Sequence, residues 1–130
     1  MRTASCSCGQ LQVTCEGDLV RVSMCHCLAC QKRTGSAFSI QARWPSDRVK
    51  IEGLAHEFVR VGDEGSTMTS RFCPTCGSTV YYDNDHMPGF VAVPVGAFAD
   101  PTFPPPRVSV YGVRRHPWTI MPDLAVEELD

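Results

Sequence analysis

Seven of the eight cysteines in this 130-residue chain stand in three tight clusters: Cys6-x-Cys8, Cys25-x-Cys27-x-x-Cys30 and Cys73-x-x-Cys76. This is metal-ligand spacing. Zn²⁺ takes four sulfur or nitrogen ligands in a tetrahedron, with Zn–S about 2.3 Å. A C-x-x-C pair puts two sulfurs on one side of a tight turn, and C-x-C does the same when the middle residue points away. Two pairs make a closed four-cysteine site. The triplet makes a three-coordinate site with one position open. Closed sites are structural and open ones are chemical, so the seven ligands divide into four plus three.

An even cysteine count also permits a disulfide framework. Three features oppose it. The opening residues, MRTASCSCGQ, lack the apolar core of a signal peptide, so a cytoplasmic location is expected. Thiols there stay reduced. Disulfide frameworks also spread their cysteines along the chain. Four-cysteine iron–sulfur ligation is the rival metal reading. Cys15 stands apart and shares an alternating pattern with Leu11 and Val13, as a small buried hydrophobe does.

A chain this long supports one domain, residues 1–130, with a modest core. Its 43% hydrophobic and 20% charged residues are ordinary for a soluble globular protein. No apolar run approaches the roughly 20 residues of a membrane span. The formal net charge is −2, and thiolate-bound zinc makes it more negative, by about −2 for a four-thiolate site and about −1 for a three-thiolate site. That balance argues against nucleic acid as a partner, because a basic patch supplies most of such affinity. His26, His56, His86 and His116 are too scattered to complete a zinc finger.

Alternation at period two dominates the chain. It marks strands around Leu11–Cys15, Val20–Met24, Phe38–Ala42, Val49–Ile51 and His56–Val61. Residues 66–73 and 78–83 flank the Cys73–Cys76 knuckle as a hairpin. Phe90–Val95 is a further strand, with Pro94 expected to put it at an edge or a bulge, and Val108–Val110 is the last. Only residues 27–33 and the acidic tail after Pro122 suit a helix. Pro104-Pro105-Pro106 reads as a stiff extended loop. The sum is an all-β sandwich of short strands. Cys6 and Cys8 are expected ahead of the first strand. A metal shared by Cys6, Cys8, Cys73 and Cys76 would tie the N-terminus to mid-chain, a structural role. Nothing near Cys25, Cys27 and Cys30 supplies an obvious fourth ligand. His26 alternates with its flanking cysteines and is expected to point away.

At these motifs the chain resembles the glutathione-dependent formaldehyde-activating (Gfa), or centromere protein V, family. The matching pieces are C-S-C-G at Cys6–Gly9, C-H-C-x-x-C at Cys25–Cys30, K-R-T-G-S-A-F-S at Lys32–Ser39, F-C-P-T-C-G-S at Phe72–Ser78 and H-P-W at His116–Trp118. They span nearly the whole chain in the expected order. The resemblance implies an Mss4-like zinc-holding β fold with two Zn²⁺ per chain. Cys6, Cys8, Cys73 and Cys76 would hold a structural zinc, and Cys25, Cys27 and Cys30 a catalytic-type zinc. It also implies carbon–sulfur lyase activity, with glutathione and formaldehyde as prototype substrates.

Two carboxylates on glutathione would need cations, and Lys32, Arg33, Arg43, Arg114 and Arg115 are available. A three-thiolate zinc is a weak activator of water, because its ligands donate much charge. Delivery of a substrate thiol as thiolate to a small aldehyde is therefore the favoured chemistry. Backbone N–H groups around Gly35 and Ser36, with the Ser36 hydroxyl, could meet an oxyanion. Equally, Gly35 could make a tight turn and Ser36 satisfy backbone. Tyr81, Tyr82, His116 and Trp118 either line a pocket or pack in the core. The alternative function is a non-catalytic zinc module that binds a partner or carries metal.

Overall fold

The computed structural model describes residues 1–62, 64–120 and 127–129. Its strands are β1 (Arg2–Ser5), β2 (Gln12–Cys15), β3 (Arg21–Cys25), β4 (Ser39–Pro45), β5 (Val49–Glu52), β6 (His56–Val61), β7 (Thr67–Phe72), β8 (Thr79–Asn84), β9 (Phe90–Pro94), β10 (Val108–Val110) and β11 (Glu127–Leu129). One helix, α1 (Leu28–Thr34), joins β3 to β4. Among the described residues the strands form an open three-stranded sheet, β1-β2-β5, and an open eight-stranded sheet in the order β11-β10-β3-β4-β9-β8-β7-β6. The expected all-β architecture with cysteine knuckles is what the chain adopts.

Four expectations are corrected. Cys6 and Cys8 follow a strand, because polar-looking β1 pairs with β2 from Arg2↔Cys15 to Ser5↔Gln12. Pro94 lies neither on an edge strand nor at a bulge. It closes β9, which is interior between β4 and β8, and hands the chain to a 3₁₀ turn at Val95–Phe98. A proline at a strand's last position costs no ladder bond beyond it. The acidic tail was expected to be helical. Its residues 127–129 form β11, parallel to β10, while 121–126 lie outside the described residues. Val20 falls just before β3 and is half exposed.

The core lies where the small sheet covers one face of the large one. Ala4, Leu11, Val13 and Cys15 meet Val22, Ala42, Trp44, Val80 and Val93 there. Trp44 is 1% exposed, and its indole N–H donates to the Gly17 carbonyl at 3.2 Å. Removing such a side chain costs about 3–5 kcal/mol. The opposite face of the large sheet is different. Cross-strand register lines up Arg21, Arg43, Ala92, Tyr82, Ser70 and Phe58 across six strands. A register break opposite Arg71/Phe72 lets Val80 join the core while Tyr82, two residues on, faces the other side. One face of the sheet is thus oily, and the other carries the polar chemistry.

Candidate functional site

The first cysteine centre is built from two turns far apart in sequence. Gly9, at φ +84°, closes the turn after Cys6, whose carbonyl accepts from the Gly9 N–H at 3.1 Å. Gly77, at φ +80°, does the same for Cys73 at 2.8 Å. Both turns need a left-handed residue that glycine adopts without cost. They bring the sulfurs of Cys6, Cys8, Cys73 and Cys76 within 4.8 Å of one another. Cys6–Cys8 and Cys8–Cys73 are each 3.6 Å apart. A zinc tetrahedron with 2.3 Å bonds has an edge of about 3.8 Å, close to these two separations, so the donor set suits the ion.

Donors converge on the same sulfurs. Cys6 accepts from the Leu11 N–H at 3.3 Å, and Cys73 accepts from the Thr75 N–H at 3.3 Å and the Gln10 amide at 3.0 Å. Burial opposes ionisation of Cys73, but the Cys76 N–H, the Gln10 amide and the Thr75 N–H outweigh it and bring the thiol down to about 7. Hydrogen bonds from Ser78 bring Cys76 down to about 5. The Gln10 backbone favours a Cys8 thiolate, yet crowding by the Cys6, Cys73 and Cys76 sulfurs wins and pushes it up to about 11. Without a cation this cluster can shed some of its protons but not all. Gln10 also bonds both the carbonyl and the N–H of Leu54, so it ties the knuckle to the β5–β6 turn.

The second centre is local. Cys25 ends β3, Cys27 caps α1 and accepts the Cys30 N–H at 3.3 Å, and Cys30 lies in the first turn of the helix. Their three sulfurs also fall within 4.8 Å of one another, and among the described residues no fourth cysteine, histidine or carboxylate joins them. Cys30 is the favoured thiolate. Its charge is held well below the usual thiol range by the Cys25 and Cys27 thiols, with help from the Ser39 hydroxyl and the Arg33 cation. Cys25 is pushed up in exchange, first by its bonds to Cys27 and Cys30. Three thiols that cannot all ionise alone are a donor set waiting for a cation. His26 turns away as expected. It is fully buried, with Nε2 at 3.1 Å from the Ser109 hydroxyl.

A cavity of about 490 Å³ opens over the triplet. Arg21, Arg43, Arg60 and Arg114 all line it, with Gln41 and Tyr82. Arg21 and Arg43 are cross-strand partners. Among the described residues none of the four arginines forms an ion pair. Burial lowers the pKa of the Arg43 guanidinium, Tyr82 opposes that, and the Arg21 cation adds to it. Beneath them runs a buried polar chain. Gln41 donates to the Ser23 hydroxyl at 2.9 Å and accepts from Tyr82 at 2.8 Å and from Ser39 at 3.1 Å, while Arg43 donates to Ser23 at 3.2 Å. Burial raises the Tyr82 phenol, so it acts as a neutral donor at physiological pH.

Other expected residues are dispersed. Arg43 and Arg114 reach the cavity, whereas Arg115 pairs with Glu128 at 3.2 Å. Lys32 and Arg33 line an adjoining groove. Ser36 is exposed beyond α1 and does not line the cavity; its N–H donates to Thr34 at 3.2 Å. Gly35, at φ +66°, is the helix C-cap, and its N–H is used by Gln31. Of the four aromatic candidates, Tyr82 alone lines the cavity. Tyr81 packs on the core under Arg71. His116 bonds Gln31 at 2.9 Å and stacks near Trp118, so the H-P-W segment braces α1. Arg21, Arg60, Gln41 and Ser39 escaped the sequence reading. Alternation about Arg21-Val22-Ser23 and Ser39-Ile40-Gln41-Ala42-Arg43 held the signal, since the polar set shares one face.

An open β fold bearing two cysteine clusters, one of four and one of three, each able to hold a metal ion, defines the class of protein. The family model described as glutathione-dependent formaldehyde-activating enzyme matches residues 1–114, and the chain belongs to that family. Among solved structures, it is similar to the crystal structure of a Rhodobacter sphaeroides protein, with a TM-score of 0.58 and 20% identity over 73% of this chain and 85% of that one. That likeness concerns the fold. Among the described residues, no helix is long and apolar enough to cross a membrane.

Proposed function

We propose that this chain is a carbon–sulfur lyase or synthase that makes or breaks the adduct of an acidic thiol, with glutathione as prototype, and a small aldehyde. The observation that carries the reading is the cysteine triplet, open on one side, at the wall of a cavity lined by four arginines that have no carboxylate partner among the described residues. Four cations on one cavity need anions. A thiol that also bears two carboxylates supplies them, and Arg–carboxylate pairs give both charge and bidentate geometry.

In this reading Cys6, Cys8, Cys73 and Cys76 hold a structural zinc, and Cys25, Cys27 and Cys30 hold a second. Zinc on the triplet would supply a centre that keeps a substrate thiol ionised near neutral pH. Arg21, Arg43, Arg60 and Arg114 bind and orient the carboxylates. Ser39 and Gln41 fix the Cys30 side of the triplet, and Tyr82 fixes Gln41. The reaction adds S–H across C=O, with the thiol proton passing to the aldehyde oxygen, or runs in reverse. Ser36 takes no part. A protein dependent on seven reduced cysteines suits the cytoplasm.

Cobalt in place of zinc tests this, because thiolate-to-cobalt bands respond to each added sulfur. Glutathione should perturb the spectrum, S-methylglutathione should not, and Cys27→Ser should abolish the response. If no thiol acts at millimolar concentration, thiolate delivery fails, and a non-catalytic zinc module takes its place.

A further inference from the structure

A second hollow, of about 570 Å³, lies between α1 and the β6–β7 edge of the large sheet. Phe58, Met68, Phe72 and Ala29 make its walls apolar. It adjoins the triplet cavity, since Ala29, Arg60 and Met68 line both. Arg60 donates to the Met68 sulfur at 3.8 Å at that junction. Phe58 leaves 63% of its surface exposed on a sheet row that also carries Tyr82 and Arg43. Lys32, Arg33, Arg60, Ser70 and Thr79 add polar groups to the apolar wall. Arg33 stacks over the Tyr82 ring at 4.7 Å, and its Nε and Nη2 are buried with no hydrogen-bond partner. Unpartnered buried donors are costly, and an oxygen on a bound molecule would satisfy them.

A one-carbon aldehyde has no chain with which to fill this groove. We propose that the groove is the subsite for the carbon skeleton of an aldehyde larger than formaldehyde, apolar beyond its carbonyl carbon, bonded to the sulfur held at the triplet. This rests on the reading of the triplet cavity given above. The step is balanced without a further reactant: the S–C bond forms, the C=O π bond breaks, and the thiol proton ends on the oxygen. That oxygen meets the Arg33 donors, while the tail covers Phe58, Met68 and Phe72. Aldehydes with aliphatic chains of about five carbons or with a phenyl ring match the apolar part of the groove.

Calorimetry on the zinc-loaded chain with S-methylglutathione and S-hexylglutathione tests the subsite separately from the chemistry. Five added methylenes entering an apolar groove should tighten binding at least about tenfold. Phe58→Ser and Met68→Thr, at different strands, should each bring the ratio of the two affinities toward one. Equal affinity of the two compounds in the wild type overturns the groove alone and leaves the arginine cavity standing. If neither compound nor glutathione binds, the cavity reading fails and takes the groove with it. Equal affinities together with a concentration-dependent dimer that Phe58→Ser dissociates would show that a second copy covers this surface instead.

Discussion

The two cysteine centres use the same ligand and differ in everything around it. The four-cysteine centre joins turns 65 residues apart, and backbone N–H groups and Gln10 surround its sulfurs. No cavity described here is lined by any of its cysteines. The triplet is drawn from six consecutive residues and holds nothing distant together. It opens instead on the polar face of the large sheet, among arginines that form no ion pair among the described residues. Ligand identity is common to both centres; chain separation and the neighbouring surface are what differ.

The widest expected gap is in folding. Cys73→Ser should unfold the chain or lower its melting temperature by about 15 °C or more, because a long-range link is lost. Cys27→Ser should cost only a few degrees. Thermal melts of both decide it, and equal losses would erase the distinction between the centres. Metal removal should follow the same division. Gently purified protein is expected to hold about two zinc per chain by metal analysis, and a mild chelator should leave about one.

Gly53→Ala sharpens the structural half. Gly53 sits at φ +105°, and an added Cβ would lie 2.1 Å from the Gln10 carbonyl oxygen. Backbone must move just where Gln10 braces Cys73, so denaturant unfolding should show a loss of about 2–4 kcal/mol. The functional half should respond oppositely. Arg43→Met removes a desolvated cation beside Arg21, so stability should hold or rise while glutathione affinity by calorimetry falls about tenfold. A matching fall in stability would mean that Arg43 belongs to the scaffold. The smallest effect belongs to the cysteine outside both centres. Burial pushes the Cys15 thiol up to about 11. It stays protonated in the folded protein while the unfolded thiol ionises near 9, so stability is full below pH 9 and declines from there toward 11. Cys15→Ala should flatten that alkaline decline, worth about 1–3 kcal/mol, in pH-dependent melts.

The cysteine spacing alone announced both centres, since ligand clusters are local patterns that survive any fold. Period-two alternation likewise placed β2 to β10, because half-buried strands must alternate. Short β1 and the acidic β11 carry no such pattern, and only pairing partners make strands of them. Pro94 misled for the same reason: its neighbours on both sides exist only in the folded sheet.

What sequence by itself determined, then, was the ligand set, its division into four and three, and the β character of the chain. Tertiary structure decided which cations the open centre faces. Lys32 and Arg33 are nearest in sequence, yet Arg21, Arg43, Arg60 and Arg114 line the cavity. Strand register and a single bulge before Tyr82 assign each side chain to a face, and a shift of one residue would send the whole row to the other side. Alternation within one stretch shows which side chains share a face, but which strands lie side by side, and so which cations meet over the triplet, is decided only by pairing.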